Sequence, residues 1–283
     1  MKKVQRCPKC NRMTELKISW SSLRNHTECK QKGHLMRTGK RAPMANQRVF
    51  FPGRVTDRVV RDWLAGDPYN NPGLMPHMVE AMIEREYQSI LESGGKMIWK
   101  DPADRDEILK ECVTAVYKIE RDLEELVLPH EFDVDFNFRA PLIVPHPAGH
   151  QETIYLIGFM DIIVKTDDGR WAVYDVKHTK NNDYWRKTRG QLSFYDLAVD
   201  VMFGDYTFEV GLLQPLCDEP RKMFELLPED RTKIETDVLS MCEDIWNQNF
   251  EDTAPISACY FCEVKHACSR FTPVNDGKRV SLI

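Results

Sequence analysis

The sequence predicts an α/β (α+β) fold, a small sheet with helices before and after it. Two observations predict it. Apolar residues recur at helical spacing up to Leu126, alternate as in strands from Glu131, and return to helical spacing from Glu229. Asp168-Gly169 separates two runs of β-branched and aromatic residues, which marks a hairpin. At 283 residues, 42% apolar and 29% charged, the chain can bury a core without cross-links.

The elements follow in order. Residues 19–36 read as one capped helix, with Ser21 or Ser22 as N-cap and Leu23 as the first apolar anchor. Residues 38–52 are basic and contain proline, so they read as a loop. Residues 53–65 place Val55, Val59, Val60, Trp63 and Leu64 on one helical face, and Met75–Glu92 and Asp104–Leu126 repeat that period. Strands are expected at 131–139, 154–164, 171–177 and Thr207–Leu213, with a helix over about 183–203 between the last two. An acidic helix over 229–249 and a cysteine-rich segment over 259–268 close the chain. No internal repeat or low-complexity tract interrupts this order.

Charge is distributed unevenly. Residues 1–61 hold 16 Lys/Arg against three Asp/Glu, whereas the whole chain has a net charge of -5. A basic arm on an acidic body suits a polyanionic partner such as nucleic acid, or a solvated N-terminus. No run of apolar residues is long enough to span a bilayer, so no membrane partner is expected. Met1-Lys2-Lys3 leads into Cys and Pro rather than an apolar stretch, so a cytoplasmic location is expected. Nine cysteines, several of them clustered, then point to metal binding rather than disulfides.

The chemistry concentrates in the hairpin. Asp161 lies in one arm and Asp175-Val176-Lys177 in the other. Pairing through Asp168-Gly169 brings Asp161 nearly opposite Asp175, and strand alternation puts Asp175 and Lys177 on one face. Two adjacent carboxylates repel unless a proton or a cation sits between them, and oxygen ligands suit Mg²⁺ or Mn²⁺. The same string also reads as a solvated strand end. In the next helix Gln191 and Tyr195, four residues apart, share a face. Lys180, Arg186, Lys187 and Arg189 surround them and could guide a nucleic-acid backbone.

These residues resemble the motifs of the PD-(D/E)XK nuclease superfamily in its RecB-like form. That form reads Gly-x-x-Asp, Asp-x-Lys and Gln-x-x-x-Tyr, matched here by Gly158 with Asp161, Asp175 with Lys177, and Gln191 with Tyr195. The resemblance implies a restriction-endonuclease-like core with a small mixed sheet. It implies metal ligation by Asp161, Asp175 and the Val176 carbonyl, a catalytic role for Lys177, and an accessory pair in Gln191 and Tyr195. The family's helical histidine is replaced by Asp57, which could still bind metal; Glu131 is a weaker acidic candidate.

Cys259-x2-Cys262-x5-Cys268 needs a fourth ligand. The RecB-like subgroup that includes AddB and the CRISPR-associated protein Cas-four has one cysteine before the nuclease core and three after it, holding a [4Fe–4S] cluster. This sequence resembles that pattern, with Cys29 as the first ligand. The competing reading is a zinc site from Cys7, Cys10, Cys29 and His34. Cys112, Cys217 and Cys242 read as structural. His146 and His150 bracket Pro147-Ala148-Gly149 in an expected exposed loop, and His178 follows Lys177, close to where a phosphate would lie.

The domain reading is a basic segment at 1–18 and one nuclease domain at 19–283. That domain has a helical part at about 53–126, a catalytic core at about 131–215, and a C-terminal helix and cysteine cluster at 229–268. The resemblance implies a metal-dependent exonuclease on DNA, single-stranded in preference, and leaves recombination, repair, spacer acquisition and phage DNA processing open as its setting. The other readings are a non-catalytic nucleic-acid-binding module and a zinc-ribbon adaptor. No Gly-x4-Gly-Lys-Ser/Thr loop is present, so a helicase or recombination partner would be another chain. A homo-oligomer is compatible with the family.

Overall fold

A computed structural model describes residues 15–40, 47–66, 73–204, 207–251, 254–259 and 262–268. In chain order the elements are β1 (Lys17–Ile18), α1 (Trp20–Glu28), α2 (Lys30–Arg37), α3 (Phe51–Leu64), α4 (Met75–Glu92), α5 (Asp104–Leu126), β2 (Glu131–His146), β3 (His150–Lys165), β4 (Trp171–Val176), α6 (Trp185–Phe203), β5 (Thr207–Leu213), β6 (Arg221–Phe224), α7 (Pro228–Asn247) and α8 (Ile256–Cys259). None of the described helices is long and apolar enough to cross a membrane. The fold is mixed α/β, as the periodicities predict. The chain divides into two compact units.

One unit comprises Met44–Ala140 and Gly158–Arg231. Its sheet is a hairpin of β3 and β4, then β5 parallel to β4, then β6 antiparallel to β5. Parallel neighbours need a crossover, and α6 supplies it between β4 and β5. Helices α3, α4 and α5 bury their apolar stripes together with Ile162, Val164, Ala172, Tyr174, Val176 and Leu213 of the sheet. The turn at Gly169 has φ +83°, a left-handed conformation that glycine adopts without a Cβ penalty.

The other unit comprises Met1–Pro43, Pro141–Ile157 and Thr232–Ile283. Here β1 pairs in parallel with Tyr155 and Leu156 of β3. The expected single helix over 19–36 is two. Cys29 is extended, with φ -166° and ψ 119°, and ends α1 while it starts α2. The N-cap is Ser19 rather than Ser21 or Ser22; its side chain and that of Ser22 form a reciprocal capping box. Gly33 lets the two helices meet closely, since a Cβ there would lie 2.7 Å from the His26 Cα. His26 and Lys30 both reach Asp244 of α7, at 2.9 and 2.8 Å. Against burial, those two bonds hold the Asp244 carboxyl below its usual range.

Strands β2 and β3 outrun their expected ends and meet at a tight turn through Gly149, φ +78°. Pro147-Ala148-Gly149 is an exposed turn, as expected, and the histidines that bracket it are strand ends, with His146 buried. The short strand β6, four residues without a clear alternation, carries no signal that periodicity can read.

Candidate active site

The site is built at the C-terminal end of β4. Ile162 pairs with Tyr174, so Asp161 and Asp175 form the next cross-strand position. Beyond β4, the Lys177 amide donates to the Leu213 carbonyl at 2.8 Å and anchors the lysine backbone to β5. Lys177 Nζ lies 2.6 Å from Asp175 Oδ2 and 3.9 Å from Asp161 Oδ2. Asp161 Oδ2 also accepts the Val176 amide at 2.9 Å. From α6, Gln191 Nε2 donates to Asp175 Oδ1 at 3.0 Å and to the Tyr195 hydroxyl at 2.7 Å. Five residues singled out in the sequence are thus linked through one hydrogen-bonded network.

The electrostatics follow from burial. Asp175 is fully buried, and burial with the nearby Asp161 charge pushes its carboxyl up while Lys177 opposes. Burial alone would pull the Lys177 ammonium down. The Asp175 and Asp161 carboxylates outweigh it and hold the lysine above its usual range. Burial and Asp175 push the Tyr195 phenol up, so it stays protonated. The ammonium now fills the place of a cation between two carboxylates.

Asp57, on α3, lines a narrow cleft with Asp135, Asp161 and Val176. Burial and the Asp161 charge push its carboxyl up to about 6. Arg61 bridges Asp57 at 2.7 Å and Asp135 at 3.1 Å. Asp135 has φ +54° inside β2, a left-handed conformation rare outside glycine but most tolerated by Asn and Asp. Sequence reasoning missed Asp135 and Arg61. Strand alternation hides the first, because the kink turns it off the polar face. The second is one basic residue among many. Glu131, the weaker candidate, sits exposed at the start of β2.

A second network adjoins Lys177. His178 Nδ1 contacts Thr56 Oγ1 of α3 at 2.8 Å, and its Nε2 contacts Glu111 of α5 at 2.7 Å. Glu111 also pairs with Lys180. Burial pulls the His178 imidazole down, against Glu111. Of the expected backbone guides, Arg189 is held bidentately by Asp230 at 2.9 and 2.6 Å. Arg186 lies over the Trp185 ring and beside Asp183, and both Arg186 and Lys187 are exposed.

Cys29, Cys259, Cys262 and Cys268 line one cavity of about 100 Å³. None of the described cysteines is in a disulfide, and these four are the donor type that an iron–sulfur cluster takes. His34, from the competing site, stacks on Phe250 at 4.0 Å. Cys7 and Cys10 lie outside the described residues. Cys112 and Cys217 are buried against the carbonyls of Pro52 and Thr179, and Cys242 is buried too.

The donors fit a divalent ion. Carboxylates of Asp57, Asp161 and Asp175 and the Val176 carbonyl are hard oxygen ligands, and the raised carboxyls are those a cation would relax. A family model described as the PD-(D/E)XK nuclease superfamily matches residues 17–269. No curated protein matches the chain. Among solved structures, a "Putative exonuclease" from Eubacterium rectale aligns over 93% of this chain and 90% of its own at 13% identity, with a TM-score of 0.51. That likeness concerns the fold alone. SSO0001 aligns over 69% of this chain and 81% of its own at 15% identity, with a TM-score of 0.36.

Proposed function

The chain belongs to the PD-(D/E)XK nuclease superfamily, and on that premise we propose that it is a metal-dependent exonuclease acting on single-stranded DNA. The convergence of Asp161, Asp175, Lys177, Gln191 and Tyr195 at the end of β4 carries this reading. Asp161, Asp175, the Val176 carbonyl and Asp57 would hold Mg²⁺ or Mn²⁺. Such an ion neutralises phosphoryl oxygens and makes water a better nucleophile.

The chain's own groups do the rest. Gln191 fixes the Asp175 carboxylate by donating to Oδ1, and the protonated Tyr195 holds Gln191 in turn. Lys177 stays charged and can orient the attacking water or stabilise the developing negative charge. Phe159 supports a single strand as substrate. It is 54% exposed two residues before Asp161 on the same face of β3, within reach of a base whose phosphate sits at Asp161. Arg186 and Lys187 offer exposed cations for the flanking backbone.

The four-cysteine cavity supports a [4Fe–4S] cluster in the other unit, where it would brace the fold. The test is cleavage of end-labelled single-stranded DNA in Mn²⁺ by anaerobically purified protein, with Lys177→Ala beside it. Degradation by wild type alone upholds the reading. Inertness of a folded, iron-loaded wild type transfers it to a binding module, and equal cleavage by both moves the site elsewhere.

A further inference from the structure

The β2–β3 turn carries a cluster that nuclease chemistry leaves unused. His146 ends β2, His150 opens β3, and Glu152 follows on the same side of β3. His146 is buried, and the His150 and Glu152 side chains are only 13% and 9% exposed. The two imidazoles stack at 4.4 Å, and Trp246 of α7 packs on His146 at 4.5 Å. Glu152 Oε2 lies 3.4 Å from His150 Nε2 and 4.0 Å from His146 Nε2. One ligand-type atom from each residue lies within 4.8 Å of the other two.

Two imidazoles side by side call for a cation that nitrogen ligands favour. A sequestered carboxylate beside them calls for positive charge. A divalent transition metal satisfies both demands at once. Ligand atoms around a tetrahedral zinc ion with bonds of about 2.0–2.1 Å stand roughly 3.3 Å apart; the His150–Glu152 separation is 3.4 Å and the His146–Glu152 separation 4.0 Å. Two nitrogen ligands disfavour Mg²⁺ and Ca²⁺.

We propose that His146, His150 and Glu152 form a zinc-class metal site with three protein ligands. His146 Nδ1 accepts the Ala148 amide at 3.0 Å. Ligation through Nε2 moves the ring proton to Nδ1 and gives up that bond, a small loss beside three metal–ligand bonds. All three ligands come from one turn, so the ion fastens the end of the hairpin.

The experiment compares wild type with His150→Gln and Glu152→Gln after anaerobic purification and chelator treatment. Each is loaded with Zn²⁺ for metal analysis and with Co²⁺ for visible spectroscopy. Wild type should hold one more equivalent of zinc than either variant. The wild-type-minus-variant cobalt spectrum should show d–d bands without thiolate-to-metal charge transfer, which separates this site from the cysteine cavity. Iron content and DNA cleavage should be unchanged in both variants. Equal zinc uptake by all three proteins overturns the proposal. So does a wild-type cobalt spectrum of thiolate type alone, which needs no variant to fold.

Discussion

Lys177→Met removes the ammonium from the site while keeping most of its apolar stem. In the wild type Nζ is 2.6 Å from Oδ2 of a fully buried Asp175. Removing one partner of a buried ion pair costs about 3–5 kcal/mol, because the remaining charge loses its counter-ion. Asp175 can escape by binding a proton, since burial already raises its pKa. A carboxyl whose folded pKa exceeds its unfolded value favours the fold at low pH and loses that contribution as pH rises through the folded pKa. The variant should therefore be nearly as stable as wild type at about pH 5 and weaker by about 3 kcal/mol at about pH 8. For a protein of this size that is a drop in Tm of about 6–12 °C. Thermal unfolding in EDTA at the two pH values measures it. Added Mn²⁺ should recover more of the loss in the variant than in wild type, as a cation returns to the gap between Asp175 and Asp161. DNA cleavage should fall at least about 100-fold. A deficit that does not change with pH, or none at about pH 8, would refute the ion-pair reasoning.

Other perturbations separate the remaining roles. Asp57→Asn removes a carboxyl whose pKa is raised to about 6, so the metal-free variant should gain stability above that pH. The side chain is 38% exposed, so the gain is about 1 kcal/mol after screening, while Mn²⁺ affinity measured by calorimetry drops. Cys259→Ser should lower iron content and visible absorbance together with Tm, if the four thiols hold one cluster. Arg189→Ala breaks the bidentate contact with Asp230 and should cost about 1–2 kcal/mol in unfolding without changing DNA affinity. Lys187→Ala should do the reverse, leaving Tm alone and lowering the salt slope of DNA binding by about one.

Much of the candidate site was legible because its logic is local. The turn at Asp168-Gly169 sets the β3–β4 register, and register alone places Asp161 beside Asp175. One helical turn sets Gln191 beside Tyr195. What escaped depends on contacts distant in sequence or on a broken period. Asp135 sits in the cleft because one residue of β2 leaves the extended conformation, which no alternation can show. Arg189 reads as a nucleic-acid contact until Asp230 is seen to hold it. The break at Cys29 is invisible to a helical period that continues on both sides, yet it positions the sulfur toward the three later cysteines. Pro147-Ala148-Gly149 is exposed as its composition suggests, but the burial of His146 beside it depends on the ring of Trp246, far along the chain.

The anchoring of Lys177 to Leu213 has a consequence in time as well as space. Asp57, Asp135, Asp161 and Asp175 come from four elements, and the strand that fixes the lysine backbone is made after all of them. A growing chain emerging from the ribosome would hold all four aspartates before it holds β5. Assembly of these non-local pairings is slow and comes late in folding. A nascent or truncated chain ending before residue 207 would thus carry these aspartates and Lys177 but lack the strand whose Leu213 carbonyl accepts the Lys177 amide, so on the proposed reading it would hold the motif unaligned.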